Sequence, residues 1–255
     1  MTNSIHIVGN NVSAISTLIA NNIKVDHVFT SPPYFQLYDY CVEGQHGLEN
    51  NVANYLDNIS TVILMLEPLL DEGSCIFVNI GETFNNYSMI NSPIHRRKGS
   101  NRKRRKLQPN ILEKQPLRIP HLLAGCIDSS DKLHLRFEYI WDKINGGGPN
   151  SKSDAGTLRH EYVFQFVKWS KKSRMYAKCK PFDHSIVSIP PLKNTDNPCS
   201  FPPELPEHFL SHIEGVWSDW ERPTILDPYA GAHNTGIACK QLNFDYIGID
   251  LKSWR

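Results

Sequence analysis

Residues 224–250 read TILDPYAGAHNTGIACKQLNFDYIGID, and this stretch decides the fold. Its apolar pattern predicts a strand at 224–226, a loop, a helix at 235–242 and a second strand at 246–249. A strand, a helix and a strand in this order are typical of a βαβ unit, in which the two strands lie parallel.

The same alternation continues through the rest of the chain. Several of the β-like runs are apolar throughout, as in strands buried within a parallel sheet. Further strands are predicted at residues 5–8, 25–29, 75–78, 137–141 and 162–167, and further helices at 12–20, 52–70 and 120–127. The sequence therefore predicts an α/β fold with a mostly parallel, doubly wound sheet.

Composition is that of a single globular domain spanning residues 1–255. Hydrophobic residues make up 40% of the chain and charged residues 21%, which is ordinary for such domains. The N-terminus lacks a basic stretch followed by an apolar core, and no apolar run approaches the roughly 18 residues that span a bilayer. We therefore expect a cytoplasmic protein. The six cysteines are scattered without a Cys-x-x-Cys pair, which predicts no metal site.

Two segments interrupt the alternation. Residues 85–115 contain Ser, Asn, Pro and Gly, and we interpret them as a mobile loop insertion. Residues 178–203 predict a small excursion from the sheet, with one candidate strand at 185–189. The loop insertion is basic although the net charge of the chain is only +1. Its cations are Arg96, Arg97, Lys98, Arg102, Lys103, Arg104, Arg105 and Lys106.

The tetrapeptide Ser31-Pro32-Pro33-Tyr34 follows directly on the predicted strand at 25–29, where open α/β folds bind ligands. Two consecutive prolines remove backbone donors and fix φ, so nearby carbonyls stay free and rigidly placed. The Ser31 hydroxyl and the Pro32 carbonyl would accept both hydrogens of a base amino group and turn its lone pair toward a methyl donor. Tyr34 would stack on the base. The alternative is a proline-rich turn that ends a strand.

The loop at 227–231, Asp-Pro-Tyr-Ala-Gly, lacks the Gly-x-Gly-x-x-Gly pattern that admits a pyrophosphate. The charge of Asp227 would repel phosphate but suits S-adenosylmethionine, which carries an ammonium and a sulfonium and no phosphate. Asp250, about 20 residues further on, has the position of the acid that holds a ribose in nucleotide-binding βαβ units. The alternative is a surface turn between a strand and a helix.

The two motifs together resemble the catalytic tetrapeptide and the Asp-Pro-Phe-x-Gly cofactor loop of the DNA amino methyltransferases, which modify N4 of cytosine or N6 of adenine. The catalytic motif comes first, as in circularly permuted members, and the resemblance covers nearly the whole chain. It implies a Rossmann-like methyltransferase fold, S-adenosylmethionine as cofactor, and double-stranded DNA from which the target base is flipped. The implied catalytic residues are Ser31, Pro32, Pro33 and Tyr34, and the implied cofactor-binding residues are Asn10, Asp227, Pro228, Tyr229, Ala230, Gly231 and Asp250.

The chain departs from the family pattern at two places in the cofactor site. Asn10 stands where an Asp is usual, and its amide oxygen can still accept from an adenine amino group. Residues 232–234, Ala-His-Asn, stand where Ser-Gly-Thr is typical, and the Cβ of His233 narrows the conformations open to the loop. These departures bear on the affinity for the cofactor.

DNA contact is assigned to the basic residues. On a protein that holds a polyanion, the run at 96–106 is expected to contact phosphates and to supply affinity with little sequence choice. Lys143 lies in a segment that resembles the loop beside the flipped base, and it is a further predicted DNA contact. Sequence choice is assigned to residues 178–203. The ordinary interpretation of a basic run is a solvated loop.

Three questions of function stay open at this point. Ser at position 31 favours N4 of cytosine by family analogy, with N6 of adenine as the alternative. A non-catalytic nucleic-acid-binding module is suggested by the altered loop at 232–234. Pro198-Cys199 resembles the nucleophile pair of cytosine-C5 methyltransferases, but in those enzymes the cofactor loop comes first. A restriction–modification or phage system with a cognate endonuclease is the expected context, and no oligomeric state is predicted.

Overall fold

The computed structural model describes residues 2–92, 103–144, 156–192, 200–213 and 222–253. Within these ranges eight strands form one sheet, and five α-helices accompany it. The strands are β1 (Ser4–Val8), β2 (His27–Thr30), β3 (Cys75–Ile80), β4 (Leu133–Asp142), β5 (His160–Lys168), β6 (Ile186–Ser188), β7 (Thr224–Asp227) and β8 (Asp245–Asp250). The helices are α1 (Asn11–Ala20), α2 (Val52–Leu64), α3 (Ile119–Asp128), α4 (Glu204–Leu210) and α5 (Asn234–Leu242).

The strand order in the sheet is β1-β8-β7-β2-β3-β5-β4-β6. Only β5 runs antiparallel to its neighbours, and every other pairing in the sheet is parallel. The predicted α/β fold with a mostly parallel sheet is therefore confirmed. Because the parallel strands share a direction, the carboxyl ends of β2, β3, β7 and β8 lie at one edge of the sheet.

Two hydrophobic cores cover the two faces of the sheet. Successive residues of a strand face opposite sides, and accordingly Val28 belongs to one core and Phe29 to the other. Helices α1, α2 and α3 contribute to the first core, whereas α4 and α5 contribute to the second. The sheet is thus doubly wound, as the alternating sequence pattern predicts.

One predicted helix is shorter than expected, and one helix was not predicted. The pattern at 52–70 predicts a single helix, but α2 ends at Leu64 and a short 3-10 helix follows at Glu67–Leu69. Pro68 accounts for the break, because its ring would clash with the carbonyl four residues earlier. Helix α4 was missed because Pro203 and Pro206 make the stretch resemble a loop.

The two interrupting segments are partly described. In the first, the buried Asn85 donates to the Ile111 carbonyl at 2.7 Å and accepts from the Gln108 amide at 2.8 Å. In the second, β6 pairs with β4 and adds a strand to the sheet, so residues 178–203 are not wholly an excursion from it. None of the helices in the described ranges has the length and apolar character that crossing a membrane requires.

Candidate active site

A cavity of about 920 Å³, counting the space at its open mouth, lies at the carboxyl edge of the sheet. The segments that follow β2, β7 and β8 all reach it, as ligand sites in open α/β sheets do. Its lining includes the predicted residues Ser31, Pro32, Pro33, Tyr34, Pro228, Tyr229, Ala230, Gly231 and Asp250. The two motifs, almost 200 residues apart in the chain, therefore share one cavity.

The tetrapeptide leaves two acceptors free at the cavity. Neither the Ser31 hydroxyl nor the Pro32 carbonyl has a hydrogen-bond partner among the described residues. The next carbonyl differs, because the hydroxyl of Tyr55 donates to the Pro33 oxygen at 2.9 Å. The Pro33 carbonyl is thus bonded to the core, whereas the Ser31 hydroxyl and the Pro32 carbonyl are available to a ligand.

Gly47 packs closely against the tetrapeptide. A Cβ at residue 47 would lie 3.0 Å from the Tyr34 carbonyl oxygen and 3.2 Å from the Pro33 Cβ. Its φ of +93° is also one that residues with side chains rarely adopt. Because the Gln36 amide donates to the Gly47 carbonyl at 2.6 Å, the turn is clamped on both sides.

The Tyr34 hydroxyl is anchored by a buried polar network. It donates to Glu161 Oε2 at 2.5 Å and contacts Asn79 Oδ1 at 3.3 Å, while Asn79 itself donates to Glu161. Gly81 is required for this packing, because a Cβ there would lie 2.7 Å from a Tyr34 ring carbon and 3.3 Å from Glu161. The network fixes the plane of the ring that faces the cavity.

Lys143 belongs to this network, which the sequence did not predict. Its ammonium forms an ion pair with Glu161 and lies 4.9 Å from the centre of the Trp141 ring. The Lys143 side chain is 21% exposed and the Glu161 side chain 10%. A lysine paired in this way supports Glu161 and Tyr34. The DNA contact predicted for Lys143 stays a prediction.

Asp227 ends β7, where the sequence places it. It is fully buried and is not part of the cavity lining. Its carboxylate accepts from the hydroxyls of Thr30 and Thr235, each at 2.7 Å, and from the Tyr229 amide at 3.1 Å. Burial raises the pKa of Asp227 to about 6, although these three donors favour the charged form. These hydrogen bonds organise the loop after β7, and the predicted role of Asp227 in cofactor binding stays a prediction.

Asp250, at the end of β8, does line the cavity. One carboxylate oxygen accepts from the Gly231 amide at 2.9 Å and the other from the Lys252 amide at 3.1 Å. A carboxylate has about four acceptor positions, so further donors can still be bound. Asp250 and Gly231 therefore lie beside each other at the cavity.

Asn10 lies outside the cavity lining, and its two neighbours take its place. The exposed Asn10 is the N-cap of α1, and its side-chain oxygen accepts from the Ser13 amide at 3.2 Å. Gly9 and Asn11 line the cavity instead. The Asn11 side-chain oxygen accepts from the Val12 amide at 2.9 Å. The contact predicted between Asn10 and the cofactor stays a prediction.

His46 is a lining residue that the sequence did not reveal. Its Nδ1 lies 2.8 Å from the Tyr229 hydroxyl, which bridges the segment after the tetrapeptide and the loop after β7. Burial lowers the pKa of His46, so the ring is neutral at pH 7 and one ring nitrogen acts as an acceptor. No motif spacing marks this histidine, because the bridge joins positions 183 residues apart.

His233 adopts the left-handed conformation that its position in the loop favours. Its φ is +58°, where glycine is the usual residue. The ring lies within 3.0 Å of a nitrogen of His6 and 3.3 Å from the Tyr246 hydroxyl. Burial and the neighbouring His6 lower the pKa of His233. These contacts hold a conformation that the Cβ disfavours.

The basic run is described only in part. Arg96, Arg97, Lys98 and Arg102 lie outside the described residues. Lys103 forms an ion pair with Asp39 at 2.8 Å, and Lys106 donates to Asn50 at 2.5 Å. Arg104 is exposed, whereas Arg105 is 8% exposed. The described members thus have different environments although the sequence presents them as one cluster.

The fold and the shared cavity define a Rossmann-like α/β protein of the methyltransferase class. A family model described as DNA methylase matches residues 25–254. The chain therefore belongs to this family of S-adenosylmethionine-dependent DNA amino methyltransferases, with its catalytic and cofactor motifs in circularly permuted order.

Curated relatives resemble the chain over most of its length. Type II methyltransferase M.Cfr9I of Citrobacter freundii is 26% identical over 95% of this chain and 82% of its own. Type II methyltransferase M.XycI of Xanthomonas campestris pv. cyanopsidis is 28% identical over 88% of this chain and 76% of its own.

Solved structures agree on the fold. The PvuII DNA methyltransferase, described as cytosine-N4-specific, is superimposed with a TM-score of 0.69 at 14% identity, covering 99% of this chain and 83% of its own. The M1.HpyAVI complex with S-adenosylmethionine gives a TM-score of 0.61 at 17% identity, covering 98% and 94%.

Proposed function

We propose that the protein is a cytosine-N4 DNA methyltransferase of a Type II restriction–modification system. The observation that carries the proposal is the pair of free acceptors, the Ser31 hydroxyl and the Pro32 carbonyl, on the wall of a cavity that also contains the loop after β7. A base amino group has two hydrogens, and two rigid acceptors on consecutive residues match them.

The acceptors address the difficulty of the reaction. The lone pair of an exocyclic amino group is delocalised into the ring, which makes the nitrogen a weak nucleophile. When Ser31 and Pro32 accept both hydrogens, the nitrogen turns toward tetrahedral geometry and its lone pair becomes available. Tyr34 stacks on the base, and the bond from its hydroxyl to Glu161 sets the plane in which the base lies.

The cavity fits S-adenosylmethionine, which supplies an electrophilic methyl group when bound. Asp250 would accept ribose hydroxyls, while Gly9, Asn11 and the backbone at 229–231 would surround the nucleoside. Asp227 would position the cofactor loop without contacting the cofactor, because its carboxylate joins this loop to Thr30. The residues of the chain therefore suit this cofactor, with Asp227 as a positioning residue.

Cytosine N4 is the proposed acceptor because residue 31 is Ser. In the resembled family Ser is commoner in cytosine enzymes, and adenine N6 is the alternative because a serine hydroxyl accepts from either amino group. The relatives M.Cfr9I and M.XycI are named Type II methyltransferases. By analogy, double-stranded DNA is the substrate and a cognate endonuclease is the expected partner. The basic run supplies phosphate contacts, and residues 178–203 supply sequence choice.

The alternative of a non-catalytic module rests on His233. Its left-handed conformation is supported by His6 and Tyr246, and Gly231 and Asp250 remain joined, so the loop keeps its shape. Isothermal titration calorimetry separates the two proposals, because a module without turnover is expected to bind no S-adenosylmethionine.

Replacement of Ser31 by Ala tests the proposed chemistry. We expect Ser31→Ala to lower kcat by about 100-fold, comparable to the loss of one polar contact in a preorganised site, with the affinity for S-adenosylmethionine unchanged within about twofold. Ser16→Ala is the matched control, because Ser16 is exposed on α1 and bonds only within its helix. Equal kcat values for the two variants would refute the role of Ser31.

A further inference from the structure

Arg105 lies on the inward face of a short antiparallel pairing. The Ile90 amide donates to the Lys103 carbonyl and the Arg105 amide to the Ser88 carbonyl, each at 3.0 Å. Met89 and Arg104 face each other across this pairing. Because side chains alternate along an extended strand, Arg104 faces solvent while Arg105 faces inward with the buried Ile90.

The guanidinium of Arg105 has no partner among the described residues. The side chain is 8% exposed, and its Nε is fully buried without a hydrogen bond. No ion pair of the described residues includes it, and burial lowers its pKa. Its neighbours differ, because Lys103 pairs with Asp39 and Lys106 donates to Asn50.

A buried cation without a counter-charge costs free energy, and arginine cannot avoid that cost by releasing its proton. A ligand that supplies acceptors to the guanidinium would offset this cost. The chain next to Arg105 is joined to the segment after the tetrapeptide, because the amide of Lys106 donates to the side chain of Gln36, two residues beyond Tyr34, at 2.8 Å.

We infer that Arg105 binds paired acceptors of the DNA near the segment after the tetrapeptide, as a buried site that differs from the exposed cations of the basic run. This inference rests on the proposed function. A planar guanidinium binds two acceptors in one plane, and DNA offers them as phosphate oxygens or as O6 and N7 of guanine. Either source supplies acceptors to a guanidinium for which the described part of the chain provides no partner.

The test compares Arg105→Met with Arg104→Gln, its exposed neighbour on the opposite face. Binding to a pool of random-sequence duplexes is measured at several salt concentrations, and the sites methylated in that pool are sequenced. We expect Arg105→Met to lose at least about tenfold in DNA affinity and Arg104→Gln less than about threefold, since only the first removes a desolvated contact. Arg105→Lys is expected not to restore affinity, because an ammonium cannot bind two acceptors in one plane.

The two sources of acceptors give different results. If Arg105 contacts a phosphate, Arg105→Met lowers the slope of log affinity against log salt by about 1 and leaves the methylated sequences unchanged. If Arg105 contacts a guanine, Arg105→Met relaxes the sequence preference at one position of the methylated site. Thermal melting adds a readout for a structural role, because removal of an unpaired buried charge is expected to leave Tm equal or higher.

Equal DNA affinities of Arg105→Met and Arg104→Gln would overturn the inference, whatever the Tm values. A wild-type protein that binds no DNA would instead refute the proposed function. Binding of S-adenosylmethionine, measured in parallel for each variant, shows that the cofactor site is intact.

Discussion

The hydroxyl of Thr30 donates to Asp227 Oδ1 at 2.7 Å and joins two segments 197 residues apart in the chain. Thr30 ends β2 immediately before Ser31, and Asp227 ends β7 immediately before the cofactor loop. The same carboxylate also accepts from Thr235, at the start of α5. One buried carboxylate therefore sets the position of the acceptor segment relative to the loop after β7.

Loss of the Thr30 hydroxyl is expected to destabilise the fold. Thr30→Val keeps the shape of the side chain but removes a donor to a buried charge, at a cost of about 1–3 kcal/mol in the free energy of unfolding. Urea denaturation measures this value. Thr17→Val is the control, because Thr17 is exposed on α1 and donates only to the Ser13 carbonyl. Wild-type stability of Thr30→Val would show that the link between the segments is not energetically important.

The raised pKa of Asp227 predicts a pH dependence of stability. Between pH 7 and pH 5 the folded protein takes up a proton at Asp227, whose pKa is about 6, whereas the unfolded chain, with an ordinary Asp, does not. As the pH falls from 7 to 5, the free energy of unfolding of the wild type should therefore rise by roughly 1 kcal/mol relative to that of Asp227→Asn. Urea denaturation at the two pH values gives the difference. A constant difference would contradict the raised pKa.

Tyr34 and Glu161 should act as one unit in catalysis. Tyr34→Phe and Glu161→Gln each weaken the bond that orients the ring, and each is expected to lower kcat/KM by about tenfold. Because both substitutions remove the same interaction, kcat/KM of the double variant should equal that of the less active single variant. Tyr87→Phe, on an exposed tyrosine, is the control. Multiplicative losses in the double variant would mean that the two residues act independently.

A methyl group at residue 81 should displace the Tyr34 ring. The Cβ of Gly81→Ala would lie 2.7 Å from a ring carbon, a distance that the ring can relieve only by moving. A shift of about 1 Å near reacting groups costs up to 100-fold in rate, so kcat should fall much more than the affinity for S-adenosylmethionine. Gly125→Ala is the control, because its Cβ meets nothing within 4 Å and alanine favours the helix. Similar kcat values for the two variants would refute the requirement for Gly81.

The fold was largely predictable because apolar periodicity reports burial directly. The strand and helix before and after the loop at 227–231 appear where the pattern places them. The limits of α2 and the presence of α4 were harder to predict, since both depend on prolines whose effect is decided by tertiary packing.

The location of the site was predictable from the motifs, but the contacts of its individual side chains were less so. Ser31, Tyr34 and Asp250 reach the cavity as their motifs predict. A motif does not show which way a carboxylate or ammonium points, so the internal partners of Asp227 and Lys143 could not be predicted.

Mass spectrometry of nucleosides tests the central claim most directly. Unmethylated genomic DNA is incubated with the protein and S-adenosylmethionine, digested and analysed, with Ser31→Ala in parallel. The account predicts N4-methylcytosine that depends on Ser31. N6-methyladenine would contradict the proposed base, and 5-methylcytosine, or no methylated base, would contradict amino-group methylation by the Ser31–Tyr34 segment.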